Sequence, residues 1–589
     1  MSTLPFKMNF KKQFKQYMNY SRKWFLFSII IGVFSGILMA LFTALVVNLQ
    51  IWLNVVPVII RYPIVGGVTS LLLYLGFKEV KGAGISNVLA HKNSGTIIPS
   101  RTLITKFLAS SLTLGVGAPA GREGPSMVLG STLSAFFAKK MKYSQEDHMQ
   151  AITIGAAACT SAVFQTPLGG ALFAAEVPYK QDLDETVILP ALLASAIALL
   201  ISETLLTLLN SHPIHIDIEI VSIEFNLINT LHFMFLGLLA GIIGVIFSIL
   251  FKSISKIFGK YIKEFLLPFV GMIITAIIVI IFEVLVLPEG VTLGGTGFGS
   301  INALISSLDM IPLGTLLLFL FGIILATSTC VGLGASGGIM GPSLAIGAAL
   351  GAVYAKVFPS VEYAPLIIIG MSSLHAATTK TPIASIIIIL EMVDFPTLII
   401  PLIISNCMAF IVSLDFSLYS GQIRSKEVIL RRKITNTDIL ETIMVKEAME
   451  KVYPTAKKTD TIQESFSLLY LHKINSLFVI DDEEKLIGTV SSMDFQTGFL
   501  EGKKYIEEIM SEKLVTAYED ENLAIVFERL RECSRDCIPV VDKELSNKIL
   551  GYIDYNHIAQ YYEAQQIKMH SRKALTIEEI SNDDFTLEN

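Results

Sequence analysis

The chain has 589 residues, of which 52% are hydrophobic and 16% charged, with a mean hydropathy of +0.61 and a formal net charge of −6. Soluble globular domains carry about a quarter charged residues, so this balance excludes an ordinary soluble enzyme, a disordered chain and a free nucleic-acid binder. Five cysteines, an odd number without zinc-type spacing, exclude a disulfide scaffold and point to no metal site.

The charge is concentrated at one end. Residues 421–589 hold 22 Lys+Arg and 31 Asp+Glu, more than half of all the charges in the chain. The preceding 420 residues have the composition of a membrane domain, and the remainder that of a soluble tail. In chain order the pattern predicts a basic arm over 1–23 and two membrane halves over 24–212 and 213–423. A linker over 424–442, two related tail units over 443–500 and 501–562, and a polar end over 563–589 follow.

The arm carries Lys7, Lys11, Lys12, Lys15, Arg22 and Lys23 and shows no small-residue cleavage context, so it is not read as a signal peptide. The positive-inside rule places it in the cytoplasm. A spanning helix needs about 20 apolar residues. Residues 24–60 and 310–355 contain no charge at all, and the second run is broken by glycines between Gly332 and Pro342. Other strong apolar runs lie at 227–251, 266–282 and 396–414.

The membrane part repeats internally. GREGPSMVLG at 121–130 is echoed by GIMGPSLAIG at 338–347, an offset of 217. Gly155, Thr166, Pro167 and Glu176 match Gly370, Thr381, Pro382 and Glu391 at an offset of 215. GAGISNVL at 82–89 echoes GTGFGSINAL at 295–304 at an offset of 213. Two related halves are a transporter-type architecture, and inverted topology is its commoner form.

Glycine-rich breaks inside apolar runs expose helix ends, which a bilayer tolerates only where they line a cavity. A helix N-terminus offers unpaired N–H groups and about half a positive charge, enough to hold an anion. Pro125 and Pro342 suit the first helical turn. Glu123 is the sharp residue, because a carboxylate within the membrane is costly. Ionised, it can occupy the anion site as a tethered competitor; protonated or displaced, it opens the path. Pairing with Arg122 is the weaker alternative, since neighbouring side chains at a helix start diverge.

GREGP at 121–125, GGIMGP at 337–342, LEM at 390–392 and LYS at 418–420 resemble the CLC family of chloride channels and chloride/proton antiporters. The resemblance implies an all-α polytopic membrane domain of about 18 full and partial helices in an inverted repeat, assembled as a homodimer with one anion path per subunit. It implies that Glu123 is the gating glutamate and Tyr419 the inner-gate tyrosine. The backbone amides of Ile339 and Met340 would complete a central anion site, and those of Arg122, Glu123 and Gly124 would line an outer one. Lys106 matches a buried lysine that raises the pore potential.

Three positions depart from the family pattern. The motif Gly82-Ala83-Gly84-Ile85-Ser86 lacks the serine hydroxyl that donates to the anion, and losing one donor of about 0.5–1.5 kcal/mol broadens selectivity rather than abolishing binding. Met340 replaces an aromatic residue with a softer one. Val177, next to Glu176, stands where many exchangers carry a proton-relay glutamate. Glu176 and Glu391 read as structural caps or salt-bridge partners. On these departures the sequence favours channel-like, voltage-gated chloride conduction, with chloride/proton antiport as the alternative and fluoride or nitrate transport behind both.

The tail repeats INSLFVIDDEEKLIGTV in RDCIPVVDKELSNKILGYI, with Gly488 and Gly551 63 residues apart. Each unit predicts an apolar strand (Leu477–Ile480; Ile538–Val541), a turn and a second strand. This pattern resembles paired cystathionine-β-synthase (CBS) domains, an α/β cytoplasmic module that often binds adenine nucleotides. By that resemblance Thr455 and Asp494 would frame a ribose in the first unit. In the second, Thr516 fits but His557 replaces the aspartate. A purely structural dimerisation module is the competing reading.

The other function classes fit less well. An intramembrane enzyme needs a nucleophile–base pair or a metal motif, and His232 and His375 are isolated. A cation carrier needs acids in mid-span. The expected partners are chloride or a related anion, protons under the antiport alternative, a lipid bilayer and a second copy of the chain, without nucleic acid. The expected location is the cell membrane, with both termini cytoplasmic.

Overall fold

The landmarks that recur at offsets of 213 to 217 residues adopt the same local structure in both halves of the computed structural model. It describes residues 10–211, 226–425 and 440–561, apart from 289, 360, 361, 442, 452, 473–475, 534–536 and 544–547. The first nine residues, most of the linker (426–439) and the polar end (562–589) therefore lie outside the described residues. The chain divides into two compact units, Met1–Lys426 and Glu427–Asn589.

Among the described residues the first unit contains sixteen α-helices, eight in each half. The first half runs α1 (Phe10–Leu53), α2 (Val58–Tyr74), α3 (Ile85–Ser94), α4 (Thr102–Gly115), α5 (Glu123–Lys140), α6 (Gln145–Phe164), α7 (Pro167–Glu176) and α8 (Glu185–Leu208). The second runs α9 (Leu227–Tyr261), α10 (Leu267–Leu285), α11 (Phe298–Ser307), α12 (Leu313–Cys330), α13 (Met340–Val357), α14 (Tyr363–Thr379), α15 (Pro382–Val393) and α16 (Ile399–Val412). The basic arm is not a separate segment as the sequence predicts: from Phe10 onward it is the first part of α1. Among the described residues six helices are long and apolar enough to cross a bilayer, and several others are short.

The short helices are the informative ones. α7 has 10 residues and α15 has 12, too few to cross a hydrocarbon core about 30 Å thick at 1.5 Å per residue. Their N-termini must find acceptors inside the protein. Proline at the first position of each removes one donor. Glu391, near the end of α15, accepts N–H groups of Leu168 and Gly169 at 3.0 and 2.7 Å. Glu176, at the end of α7, accepts those of Ile383 and Ala384 at 3.2 and 2.8 Å. Each helix thus lays its start on the other's terminal carboxylate, and the two run antiparallel. The predicted capping role of both glutamates holds.

Such reciprocal contacts between equivalent residues define a two-fold axis. A two-fold that makes equivalent helices antiparallel reverses their direction across the bilayer, which is the inverted repeat. Glycine permits the close packing. A Cβ at Gly130 (α5) would overlap the Gly155 carbonyl (α6), and one at Gly347 (α13) would overlap the Gly370 carbonyl (α14). α3 and α11 each start after a glycine in the left-handed region, Gly84 at φ 82° and Gly297 at φ 91°.

Among its described residues the second unit holds two three-stranded sheets of the same order. In the first, β1 (Thr455–Lys457) pairs parallel with β2 (Ser476–Ile480), which pairs antiparallel with β3 (Leu486–Ser491). In the second, β4 (Ala517–Tyr518), β5 (Cys537–Val541) and β6 (Ile549–Asp554) repeat the arrangement. Phe478 and Leu486 from one sheet pack with Val541, Ile549 and Tyr552 from the other in a shared apolar cluster.

Candidate anion and proton site

The two glycine loops meet on the two-fold axis. Gly121 and Gly338 form an isolated antiparallel bridge. This brings the starts of α5 and α13 head to head, so the positive ends of both helix dipoles face a common point. Pro125 and Pro342 sit in the first turns, as expected.

Glu123 occupies that point. Its Oε1 accepts N–H groups of Ile339 and Met340 at 2.7 and 2.6 Å. The N–H groups of Glu123 itself and Gly124 also face the carboxylate. The two amides expected at the central site, Ile339 and Met340, thus hold the carboxylate, and those of Glu123 and Gly124 from the expected outer set face it too; the Arg122 amide is not among them. Glu123 is fully buried, and its other oxygen has no hydrogen-bond partner among the described residues. It makes no pair with Arg122, whose guanidinium is buried with Nε and Nη2 unpartnered among the described residues.

Tyr419 lies on the same point. Its buried hydroxyl faces the Glu123 carboxylate but meets no partner in good hydrogen-bond geometry. Its own N–H is held by Ser417 Oγ at 3.2 Å. Ala83 approaches from α3: a Cβ on Gly124 would come within 2.5 Å of the Ala83 carbonyl oxygen. Gly84 has no room for a side chain, because a Cβ there would meet Val128 at 2.5 Å and Lys106 at 3.3 Å. Lys106 is buried without a carboxylate partner and donates to the carbonyls of Gly82 and Val80 at 2.6 and 3.2 Å. Its charge therefore stands beside the start of α3. Met340 is wholly buried, so its side chain packs in the core while its amide faces the site.

A cavity of about 880 Å³ reaches from the protein surface to Ile339 and Tyr419. Its lining includes Lys78, Lys81, Lys252 and Lys256 against Glu79 and Glu264. An excess of lysines at the mouth of a cleft concentrates anions.

Val177 is fully buried at the end of α7 and its carbonyl accepts Gln422 Nε2 at 2.8 Å. The same Nε2 donates to the Thr379 carbonyl at 2.8 Å. Sequence reasoning missed Gln422; an amide three residues after Tyr419, among Ser420, Gly421 and Arg424, carries no local sign of its partners. His375, read as isolated, bonds Ser385 Oγ through Nδ1 at 2.7 Å.

In the second unit, register places Thr455 opposite Phe478 and Ser491 opposite Ser476, so Thr455 and the end of β3 lie at one end of the sheet. Asp494 follows there. Its Oδ2 accepts the Ser491 N–H and hydroxyl at 2.8 and 2.7 Å as a helix cap. The corresponding place in the second sheet is filled differently. His557 Nδ1 lies 3.1 Å from Asp554, and the Thr516 carbonyl accepts from Arg529, which also pairs with Glu521.

Comparison with known proteins agrees with this geometry. Residues 65–414 match the voltage gated chloride channel family, and residues 445–499 and 506–564 each match the CBS domain. The chain is 28% identical over 360 residues to an H(+)/Cl(−) exchange transporter ClcA of Yersinia pestis bv. Antiqua (strain Angola), covering 58% of this chain and 73% of that protein. Its fold resembles the crystal structure of a CLC-type fluoride/proton antiporter, with a TM-score of 0.60 at 24% identity over 69% of this chain and 98% of that one. It also resembles that of a eukaryotic CLC transporter, with a TM-score of 0.56 at 17% identity over 91% of this chain and 98% of that one. The chain belongs to the voltage gated chloride channel family and carries a pair of CBS domains.

Proposed function

We propose that the chain exchanges chloride for protons, with the Glu123 carboxylate as the element shared by both substrates. The observation that carries the reading is the seat of that carboxylate on the N–H groups of Ile339 and Met340. An anion arriving from the lysine-rich cavity needs those same two donors. Carboxylate and anion cannot hold them together, so each anion that binds displaces Glu123. A displaced carboxylate loses the groups that compensate its charge. An ionised acid in the hydrocarbon region costs about 2.5–3.5 kcal/mol on insertion scales, so it leaves its seat as the neutral acid, with a proton. Anion binding and proton uptake are then linked at one residue.

This reading takes the antiport alternative over the channel-like conduction favoured from Val177. The ClcA relatives, named as H(+)/Cl(−) exchange transporters, support the choice. Arg122, Gly124 and Ala83 complete the anion path, Tyr419 closes its inner side, and Lys106 holds the potential positive. We assign the tail a regulatory nucleotide at Thr455 and Asp494, and the protein a homodimeric state in the cell membrane with both termini cytoplasmic.

The test is Glu123→Gln in proteoliposomes. The amide keeps the shape but cannot release a proton. Proton movement is expected to stop while chloride flux persists. Proton movement at the parent rate in this variant would refute the assignment.

A further inference from the structure

Val177 cannot bind a proton, so an exchanger built on this chain needs another way across the apolar stretch between Val177 and Glu123. The α14–α15 junction is polar in a way the fold does not require. Ser372, Ser373, His375, Thr378, Thr379, Thr381 and Ser385 are all buried there. At the equivalent positions of the first half, at the offset of 215, stand Ala157, Ala158, Thr160, Val163, Phe164, Thr166 and Gly170. The same backbone is thus built there with mostly apolar residues.

These groups form a connected chain. Gln422 ties the Val177 carbonyl to that of Thr379. The Thr379 hydroxyl lies 2.6 Å from that of Thr381 and donates to the His375 carbonyl at 2.7 Å. The Thr378 carbonyl accepts the N–H of Leu418, next to Tyr419. The junction therefore lies between the Val177 end of α7 and the segment that carries the tyrosine of the anion site.

His375 is the titratable group in this chain. Ser385 Oγ donates to the Thr381 carbonyl at 2.6 Å, which uses its only hydrogen. The imidazole must then donate Nδ1–H to Ser385 Oγ, an assignment made from the hydrogen-bond network. Nε2 is left with a bare lone pair, fully buried and without a hydrogen-bond partner among the described residues. The Phe173 ring of α7, one turn before Val177, packs against the imidazole at 5.7 Å.

The charged and titratable groups on the elements around α14 are engaged elsewhere. Glu176 and Glu391 cap helix starts, Lys380 bonds Ser413 Oγ, Lys356 bonds the Asp309 carbonyl, and His232 bonds Tyr354. Lys252, Lys256 and Lys260 lie towards the end of α9, with Lys252 and Lys256 lining the cavity. None of them hydrogen-bonds the ring.

We propose that His375 is the proton carrier of this chain, taking at Nε2 a proton from the Val177 side and passing it on towards Glu123. A hydronium ion entering from the Val177 side gives up one O–H bond as Nε2–H forms, and that N–H breaks as a water towards Glu123 takes the proton; the imidazolium exists between the two transfers and no other group is consumed. The inference rests on the exchange reading above.

The test compares the full-length protein with His375→Gln in proteoliposomes under a chloride gradient, recording chloride and proton fluxes together. The parent is expected to move protons. The variant is expected to keep its chloride flux while proton flux falls about tenfold or more, raising the chloride-to-proton ratio. Ser385→Ala leaves the ring in place but frees Nδ1, and is expected to raise the ratio severalfold if the ring variant fails to fold. An unchanged ratio in either variant, with a parent that pumps protons, would overturn the role of His375 alone. A parent that moves no protons would overturn the exchange reading and this inference with it.

Discussion

Gly121 and Gly338, 217 positions apart in the sequence, exchange their backbone hydrogen bonds: each N–H donates to the other's carbonyl, at 2.8 and 2.7 Å. Two repeat-equivalent residues bonded to each other can only lie on the axis that relates the halves. The anion site is therefore where the repeat meets itself. The Glu123 carboxylate stands where the two helix N-termini face each other.

The crossing leaves no room for a side chain. A Cβ at Gly338 would overlap the Glu123 carboxylate, and one at Gly124 would press on the Ala83 carbonyl at 2.5 Å and Gly338 Cα at 3.0 Å. Gly338→Ala is expected to destabilise the protein by about 1–3 kcal/mol, the usual cost of overpacking. It should also displace the carboxylate, so surviving protein would conduct chloride with a weakened pH response. A thermal melt and a flux assay at two pH values check both.

Glu123→Ala removes the competitor for the Ile339 and Met340 donors. Chloride flux should lose its dependence on pH, because no carboxylate remains to be protonated before the anion enters. Flux measured between pH 4.5 and 7.5 is expected to be flat in the variant and to rise towards acid in the parent. The same slope in both would argue against displacement by protonation.

Ala83→Ser restores a hydroxyl at the start of α3, beside Gly124. One neutral donor contributes about 0.5–1.5 kcal/mol, or roughly twofold to twelvefold in relative affinity. Chloride preference over nitrate should rise by that factor in competition flux assays.

Lys106→Met removes the donor to the Gly82 and Val80 carbonyls and the positive charge beside α3. Leaving a buried carbonyl unpaired costs about 1–3 kcal/mol. Both thermal stability and apparent chloride affinity should fall. Lys106→Arg is expected to recover the affinity in part, while restoring a charge without the same fit.

For the tail, ATP or AMP should raise the melting temperature of the full-length protein in detergent. Asp494→Asn, which keeps an acceptor for the Ser491 cap, should remove the shift. No shift with either nucleotide in the parent would favour a purely structural pair.

Much of the site was legible because its parts are local. A Gly-rich loop followed by a helix-capable run, with proline in the first turn, reads as a helix N-terminus wherever it occurs. Glu123 in such a loop reads as an acid beside donors. The chain order Gly155–Glu176 and Gly370–Glu391 also read as a repeat, and the capping role of both glutamates could be anticipated from their shared position. Long-range geometry was not legible. Nothing local indicates that Glu123 reaches Ile339, 216 residues away, so the two amides expected at a central anion site turned out to hold this carboxylate. The partners of Gln422 and His375 were not legible for the same reason, since a polar side chain does not declare a distant partner in its own segment. Val177 was read alone. Its missing carboxylate pointed to conduction, while the hydroxyls that surround the neighbouring junction come from another helix pair.

The central claim is that one carboxylate links the two substrates, and the most direct measurement is proton movement driven by chloride. Proteoliposomes holding the full-length protein are loaded with high chloride, diluted into low chloride, and the external pH is recorded with the membrane potential clamped. The account predicts proton uptake against its own gradient at a fixed chloride-to-proton ratio as chloride leaves. Chloride efflux with no proton movement would contradict it and return the protein to the channel-like reading.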